Sequence, residues 1–163
     1  MFLDPEDLAL ESGPIWHGAA IGWPSEIDTR IKKLPIVSNR FCGVLYSEGN
    51  TNILSYSAYL PTSGRDEEFL EIIDILTRDI FTHMEDNTAI IIGADTNQSV
   101  KSTPRRTECM DLFLKQFSLK YIMTNDEPTF HHHNQISESQ IDHIYYFIPG
   151  QISTRITVKE HLC

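Results

Sequence analysis

An aspartate and an asparagine two positions apart close an apolar run, Thr88-Ala-Ile-Ile-Ile92 leading into Gly93-Ala94-Asp95-Thr96-Asn97. A carboxylate at the tip of a buried strand is a hard anionic oxygen of the kind Mg²⁺ prefers. A carboxamide two residues on, facing the same way if the strand geometry persists, can hydrogen-bond a phosphate oxygen without adding charge. Asp and Asn are also ordinary turn formers after a strand, so the pentapeptide alone leaves a turn and a site both open. Asp142 lies within Ser139-Gln-Ile-Asp-His-Ile-Tyr-Tyr146. An acidic side chain among β-branched and aromatic neighbours is costly to bury unless it is paired, and the plain alternative is an outward-facing residue on a half-exposed strand. Tyr59 precedes Leu60-Pro61 at a strand end, where tyrosine is usually a packing aromatic with its hydroxyl in water.

These residues need elements to hold them. Three segments read as antiparallel strands: His17 to Trp23, Arg40 to Tyr46 and Asn52 to Leu60, with Glu48-Gly49-Asn50 as hairpin chemistry between the last two. Pro61-Thr-Ser-Gly64 breaks the third strand. Phe69, Ile72, Ile73, Leu76, Ile80 and Met84 then recur at helical spacing. Asp66, Glu67, Glu68 and Glu71 occupy the first turns, where the macrodipole favours anions, so this acidic run reads as a solvated helix start rather than a metal site. The Thr88 to Ile92 strand follows, then a polar loop from Gln98 to Pro104. A second helical pattern falls on Cys109, Leu112, Phe113, Gln116 and Phe117, with Thr103-Pro104 as N-cap and first helical position. A short Pro128-Thr-Phe130 strand, a strand from Gln140 to Phe147 and a Pro149-Gly150 turn complete the pattern. The first fifteen residues read as a loop. Without an internal repeat or a linker, residues 1–163 are expected to form a single domain.

Composition narrows the function classes. The chain, at 163 residues, is long enough to bury a sizeable core, and its formal charge of -10 argues against blanket neutralisation of nucleic-acid phosphates, which needs a basic face. A metal-bridged contact is still compatible, because a bound cation inverts the local sign. No stretch approaches the apolar length of a bilayer span, and Met1 to Asp7 lacks a basic start, so neither export nor membrane insertion has support. Cys42, Cys109 and Cys163 are widely spaced without a CxxC pair and read as reduced thiols of an intracellular protein. In the tract His131-His-His133 only His131 and His133 share a face of an extended segment, fewer ligands than a closed zinc site takes, so loop histidines near a phosphate-binding end are the preferred reading.

The order of these motifs is itself informative. Ser57-Ala-Tyr-Leu-Pro61, a long amphipathic helix, Ile-Ile-Gly-Ala-Asp-Thr-Asn97, Pro-Thr-Phe130 and Gln-Ile-Asp-His-Ile144 follow one another as in the endonuclease/exonuclease/phosphatase superfamily. The chain resembles that superfamily from about His17 to Phe147, and in overall look its non-LTR retrotransposon endonuclease branch. The resemblance implies an α+β fold, a four-layer αββα sandwich of the DNase I type with the site at one end of two packed sheets. It implies that Asp95 and Asn97 position the attacking water and bind the scissile phosphate, with Asp95 holding Mg²⁺ (or Mn²⁺). Tyr59 would contact a phosphate oxygen or help arrange the nucleophile, and Asp142 would orient a catalytic histidine. Thr129 and His131 would support substrate. DNA is the implied substrate, no membrane is involved, and a reverse transcriptase domain in a longer parent polypeptide and a nuclear location would accompany the retrotransposon reading.

Several family features have no counterpart. Members carry an Asn and a metal-binding Glu upstream of the strand that His17 to Ile21 resembles, and here about sixteen residues without a β pattern stand there; neither Glu6 nor Glu11 is promoted. The closing Ser-Asp-His of the family is replaced by Val158-Lys-Glu-His-Leu-Cys163, where His161 behind Glu160 echoes an acid-histidine pair only superficially. Ala94, Gln140 and His143 replace a glycine, a basic residue and a tyrosine. The expectation is a domain incomplete at both termini, with impaired activity. The alternatives are a catalytically inactive relic or interaction module of the same fold, and a phosphatase acting on small phosphoesters.

Overall fold

In the computed structural model, residues 18–97, 103–122, 130–131, 138–139 and 141–150 are described. Two amphipathic patterns of different period meet there. Leu54, Tyr56 and Ala58 alternate along strand β3 (Thr51–Tyr59), and Ile90, Ile92 and Ala94 along β4 (Thr88–Asp95), each set turned to one face and buried. Helix α1 (Asp66–His83) turns Phe69, Ile72, Ile73, Leu76 and Ile80 towards them. Helix α2 (Pro104–Gln116) adds Met110 and Phe113 to the same core, with Phe117 and Leu119 just beyond its end. Each fully buried Leu, Ile or Phe contributes about 1.5–3 kcal/mol, which is why one continuous apolar layer can fix the sheet against the helices.

The sheet has six strands in the order β1-β2-β3-β4-β8-β5, where β1 is Ile31–Lys33, β2 Phe41–Glu48, β5 Lys120–Tyr121 and β8 Asp142–Phe147. Strands β2 and β3 form the expected hairpin, with Glu48 opposite Thr51. Gly49 takes φ 58° at the first loop position, a conformation glycine adopts without steric cost. β3 and β4 are parallel, as a connection through a whole helix requires, and β8 returns antiparallel to β4. Strands β6 (Phe130–His131) and β7 (Glu138–Ser139) form a separate two-stranded ladder. The described residues thus supply a helical layer and a mixed sheet of an α+β fold. The sheet face away from the helices leaves Ile91 and Ile144 exposed.

Two expectations need correction. Residues 18–23 form no strand: Gly18 and Gly22 offer no side chain to pack, and the Trp23 indole donates instead to Asp28 across a 3₁₀ turn, Ser25–Arg30. The place beside β2 is taken by Ile31–Lys33, paired with Tyr46 to Val44. Leu112, read as a core position, is exposed, because α2 buries Arg106, Met110 and Phe113, a stripe that Phe117 continues. That stripe begins on an arginine, which a search for apolar periodicity passes over. Thr103 and Pro104 do begin α2 as expected, the Thr103 side chain accepting from Arg106 N. Among the described residues no helix is long and apolar enough to cross a membrane.

Candidate active site at one end of the sheet

The register of three adjacent strands assembles the site. Tyr59 ends β3 and is the parallel partner of Asp95, which ends β4; Asp95 is in turn the antiparallel partner of Asp142, the first residue of β8. Cross-strand partners project to the same face, so Tyr59, Asp95 and Asp142 form one row across the rim of the sheet. Since Ala94 points into the helix-covered core, this row lies on the opposite face, with Gly93 one pleat below it. Beneath and beside the row is an open cleft of about 480 Å³ whose walls include Tyr59, Asp95, Asp142, His143, Ser57 and Gly93, together with Gly18 and Ala19 from the segment before the 3₁₀ turn.

Asp95 is held by the chain that follows it. Its Oδ1 accepts from Asn97 N at 3.0 Å, the two-residue reach of an Asx turn, and Asn97 adopts φ 47°, a left-handed conformation that asparagine tolerates better than most residues. Between them Thr96 is fully buried, its N and Oγ1 both donating to Ile141 O at 2.8 and 2.9 Å, which ties the tip of β4 to the residue before Asp142. Burial holds the Asp95 carboxyl above the ordinary aspartate range; the Asn97 N–H pulls it down, the Asp142 charge pushes it up and His143 pulls it down.

Asn97 does structural work as well. Its Nδ2 donates to Leu60 O at 2.8 Å, and Leu60 N donates to Asp95 O at 2.8 Å, so the ends of β3 and β4 are laced together at the rim. A carboxamide nitrogen carries two protons, which leaves Asn97 a second donor for an anion. Tyr59 is fixed by its neighbour strand: its N donates to Arg40 O at 2.8 Å, and the Arg40 guanidinium stands 5.7 Å from its ring centre. Arg40 is itself buried, its Nε and Nη2 both donating to Glu68 Oε1.

Of the residues singled out from the sequence, Tyr59, Asp95, Asn97 and Asp142 converge. His131 is the second residue of β6, and its backbone partner is Glu138. Thr129, Glu6, Glu11 and His161 lie outside the described residues. Ser57 and Arg40 are site neighbours that the sequence patterns do not single out, whereas His143, the partner of Ala94, lies on the other face of β8 beside Tyr145. Ser57 was within reach of the sequence, since it stands two residues before Tyr59 on the same face of one strand. Arg40 was not, because only the β2–β3 register brings it beside Tyr59.

The donor set suits a divalent cation of the Mg²⁺ kind. Such ions are commonly held by one or two carboxylates with water and phosphate oxygens completing the shell, and Asp95 and Asp142 are two carboxylates on one face of adjacent strands. Among the described residues there is no cluster of three or more His, Cys, Asp or Glu side chains of the sort that cages a metal without help from substrate or water.

No protein-family model matches the chain, and no curated protein sequence does. Solved structures do. The endonuclease domain of TRAS1, a telomere-specific non-LTR retrotransposon, superposes with a TM-score of 0.57 at 19% identity, over 80% of this chain and 64% of that one. A humanized D. rerio TDP2 carrying 14 mutations matches with a TM-score of 0.46 at 13% identity, over 72% of this chain and 52% of that one. The human Nocturnin catalytic domain matches with a TM-score of 0.44 at 14% identity, over 73% of this chain and 49% of that one. The chain therefore spans just under two thirds of the retrotransposon endonuclease domain and about half of the other two. What the likeness to the TRAS1 domain shows is the fold: a mixed sheet crossed from β3 to β4 through α1, of the DNase I-like kind.

Proposed function

We propose that this chain carries the phosphate-binding end of a divalent-cation-dependent phosphodiester hydrolase that cuts DNA, of the retrotransposon endonuclease type. The observation that carries this reading is the row Tyr59, Asp95 and Asp142 on one face of three adjacent strands, with Asn97 laced behind it. The likeness in fold to a retrotransposon endonuclease domain supports the choice of branch.

Hydrolysis of a phosphodiester needs an activated water, charge neutralisation on the phosphorus centre and help for the leaving oxygen. Asp95, with Asp142 beside it, is the group that would hold Mg²⁺ or Mn²⁺. The cation would supply charge neutralisation and make water a stronger nucleophile. Asn97 offers its second amide proton to a phosphate oxygen, and Tyr59, braced by Arg40, presents its hydroxyl from the neighbouring strand. Asp142, opposite Asp95 at the start of β8, would orient a catalytic histidine. Thr129 and His131 are proposed as supports for the substrate strand. On the same reading the chain belongs with a reverse transcriptase domain in a longer polypeptide and works on DNA in the nucleus.

Nicking of supercoiled plasmid with Mg²⁺ tests this, with Asp95→Ala and a chelator as controls. Conversion to open circle that depends on both the cation and Asp95 is the expected result. Cutting that persists in Asp95→Ala would show that the chemistry lies elsewhere.

A further inference from the structure

A buried arginine behind the site has no place in the reaction as described. Arg106, in the first turn of α2, is 1% exposed. Its guanidinium lies 4.0 Å from the centre of the Phe69 ring, and its Nη2 donates to Pro61 O at 2.5 Å. Nε and Nη1 find no acceptor among the described residues, and the nearest carboxylate, that of Asp66, stays 3.9 Å from Nη1.

The Phe69 ring and the Asp66 charge favour the cation, but burial and the helix terminus oppose it. Burial pushes the guanidinium below its ordinary pKa, against the pull of the Asp66 charge, and the amino end of a helix disfavours positive charge. An apolar side chain of similar volume on Phe69 would pack without these costs.

What the guanidinium does achieve is positional. Leu60 and Pro61 are consecutive residues at the end of β3, and their two carbonyls are gripped from opposite partners. Leu60 O accepts from Asn97 Nδ2, while Pro61 O accepts from Arg106. Leu60 N in turn donates to Asp95 O. Asn97, whose own N binds Asp95 Oδ1, therefore rests on a corner whose next carbonyl is anchored to α2. Proline has no N–H to pair, so Pro61 can be hydrogen-bonded only through its carbonyl, which Arg106 takes.

We propose that Arg106 is a positioning residue: it anchors the Leu60-Pro61 corner to α2 and through that corner sets Asn97 and Asp95 in their working geometry. The inference deepens the hydrolase reading and rests on it for its functional consequence, whereas its structural content stands apart.

Amide hydrogen exchange on the whole chain, in Arg106→Met and Arg106→Lys, tests the structural content without any need for activity. Arg106→Met keeps the volume and loses the donor; exchange at Leu60 and Asn97 is expected to quicken about tenfold relative to Ile90 in the centre of the sheet. Arg106→Lys, whose ammonium reaches Pro61 O without the fork, is expected to give a smaller rise of about threefold. Rates at Leu60 and Asn97 that move only in step with Ile90 in both variants overturn the proposal. Should the Met variant not fold, the Lys variant decides by the same ratio. In plasmid nicking, Arg106→Met is expected to lower kcat about tenfold with KM little changed, and Arg106→Lys to recover most of it. Wild-type chain that does not nick counts against the hydrolase reading alone, and the exchange ratio still decides the role of Arg106.

Discussion

Asp95 and Asp142 are direct cross-strand partners, the last residue of β4 opposite the first of β8. Like charges so placed repel, and on the proposed reading a divalent cation held by this pair would offset that repulsion. Asp95→Ala is therefore expected to reduce Mg²⁺-dependent nicking by at least about 100-fold, and Asp142→Asn by about 10–100-fold. Initial rates on supercoiled plasmid measure both. Equal, small effects of the two substitutions would separate this pair from the chemistry.

Stability should report the same pair through pH. The Asp95 carboxyl is raised in the folded chain, chiefly by burial and further by Asp142. A carboxyl raised on folding binds its proton more tightly in the native state, so stability falls as pH climbs from the ordinary aspartate range through the folded pKa, and the full penalty is present above it. Without divalent ions, Asp95→Asn is expected to melt higher than the wild type at neutral pH, the gap closing as pH drops through the carboxylate range. Added Mg²⁺ should raise the midpoint of the wild type and leave that of Asp95→Asn in place. Thermal melts across pH, with and without Mg²⁺, give both comparisons; a gap that widens towards acid would contradict the assignment.

In the core, Tyr56 donates its hydroxyl to Asp79 Oδ2 at 2.6 Å, and both residues are buried. Tyr56→Phe leaves a buried carboxylate oxygen without its donor, at a cost of about 1–3 kcal/mol. For a chain of this length that is a drop of about 2–4 °C in melting midpoint per kcal/mol. An unchanged midpoint in denaturant would mean that Asp79 finds another donor at no cost.

Gly43 sits against the same tyrosine. A Cβ there would meet Tyr56 Cε1 at 2.6 Å and Leu34 Cδ1 at 2.9 Å, so Gly43→Ala is expected to cost about 1–3 kcal/mol through overpacking. Gly93, on the cleft side of β4, has room: an added Cβ would come no nearer than 4.0 Å, to Tyr56 O. Gly93→Ala is thus expected to stay within about 0.5 kcal/mol of wild type. Urea melts of the two variants separate these cases, and a Gly43→Ala midpoint equal to that of Gly93→Ala would refute the crowding argument.

The hairpin at Gly49, helix α1, the Thr103 cap and strand β4 were all legible because each rests on neighbours in sequence: a glycine at a turn, a 3.6-residue stripe, a threonine before a proline, an apolar run. Two features depend on residues whose sequence neighbours carry no such signal. The glycines at 18 and 22 undercut a strand, whose place Ile31–Lys33 takes, and the stripe of α2 keeps Phe113 and Phe117 but runs through Arg106 and Met110 rather than Leu112. Asp95, Asn97, Asp142 and Tyr59 were recognisable as residue types able to do phosphate and metal chemistry.

By itself, then, the amino-acid order determined which segments became helix or strand and which side chains had the right donors and charge. Tertiary structure alone decided that β8 pairs with β4 in the register that sets Asp142 opposite Asp95, that Arg40 braces Tyr59, and that Arg106 reaches back to Pro61. The physical reason is range: local patterns are fixed by dihedral and packing preferences over a few residues, whereas strand register and a buried guanidinium's acceptor are settled only when distant segments exclude water together.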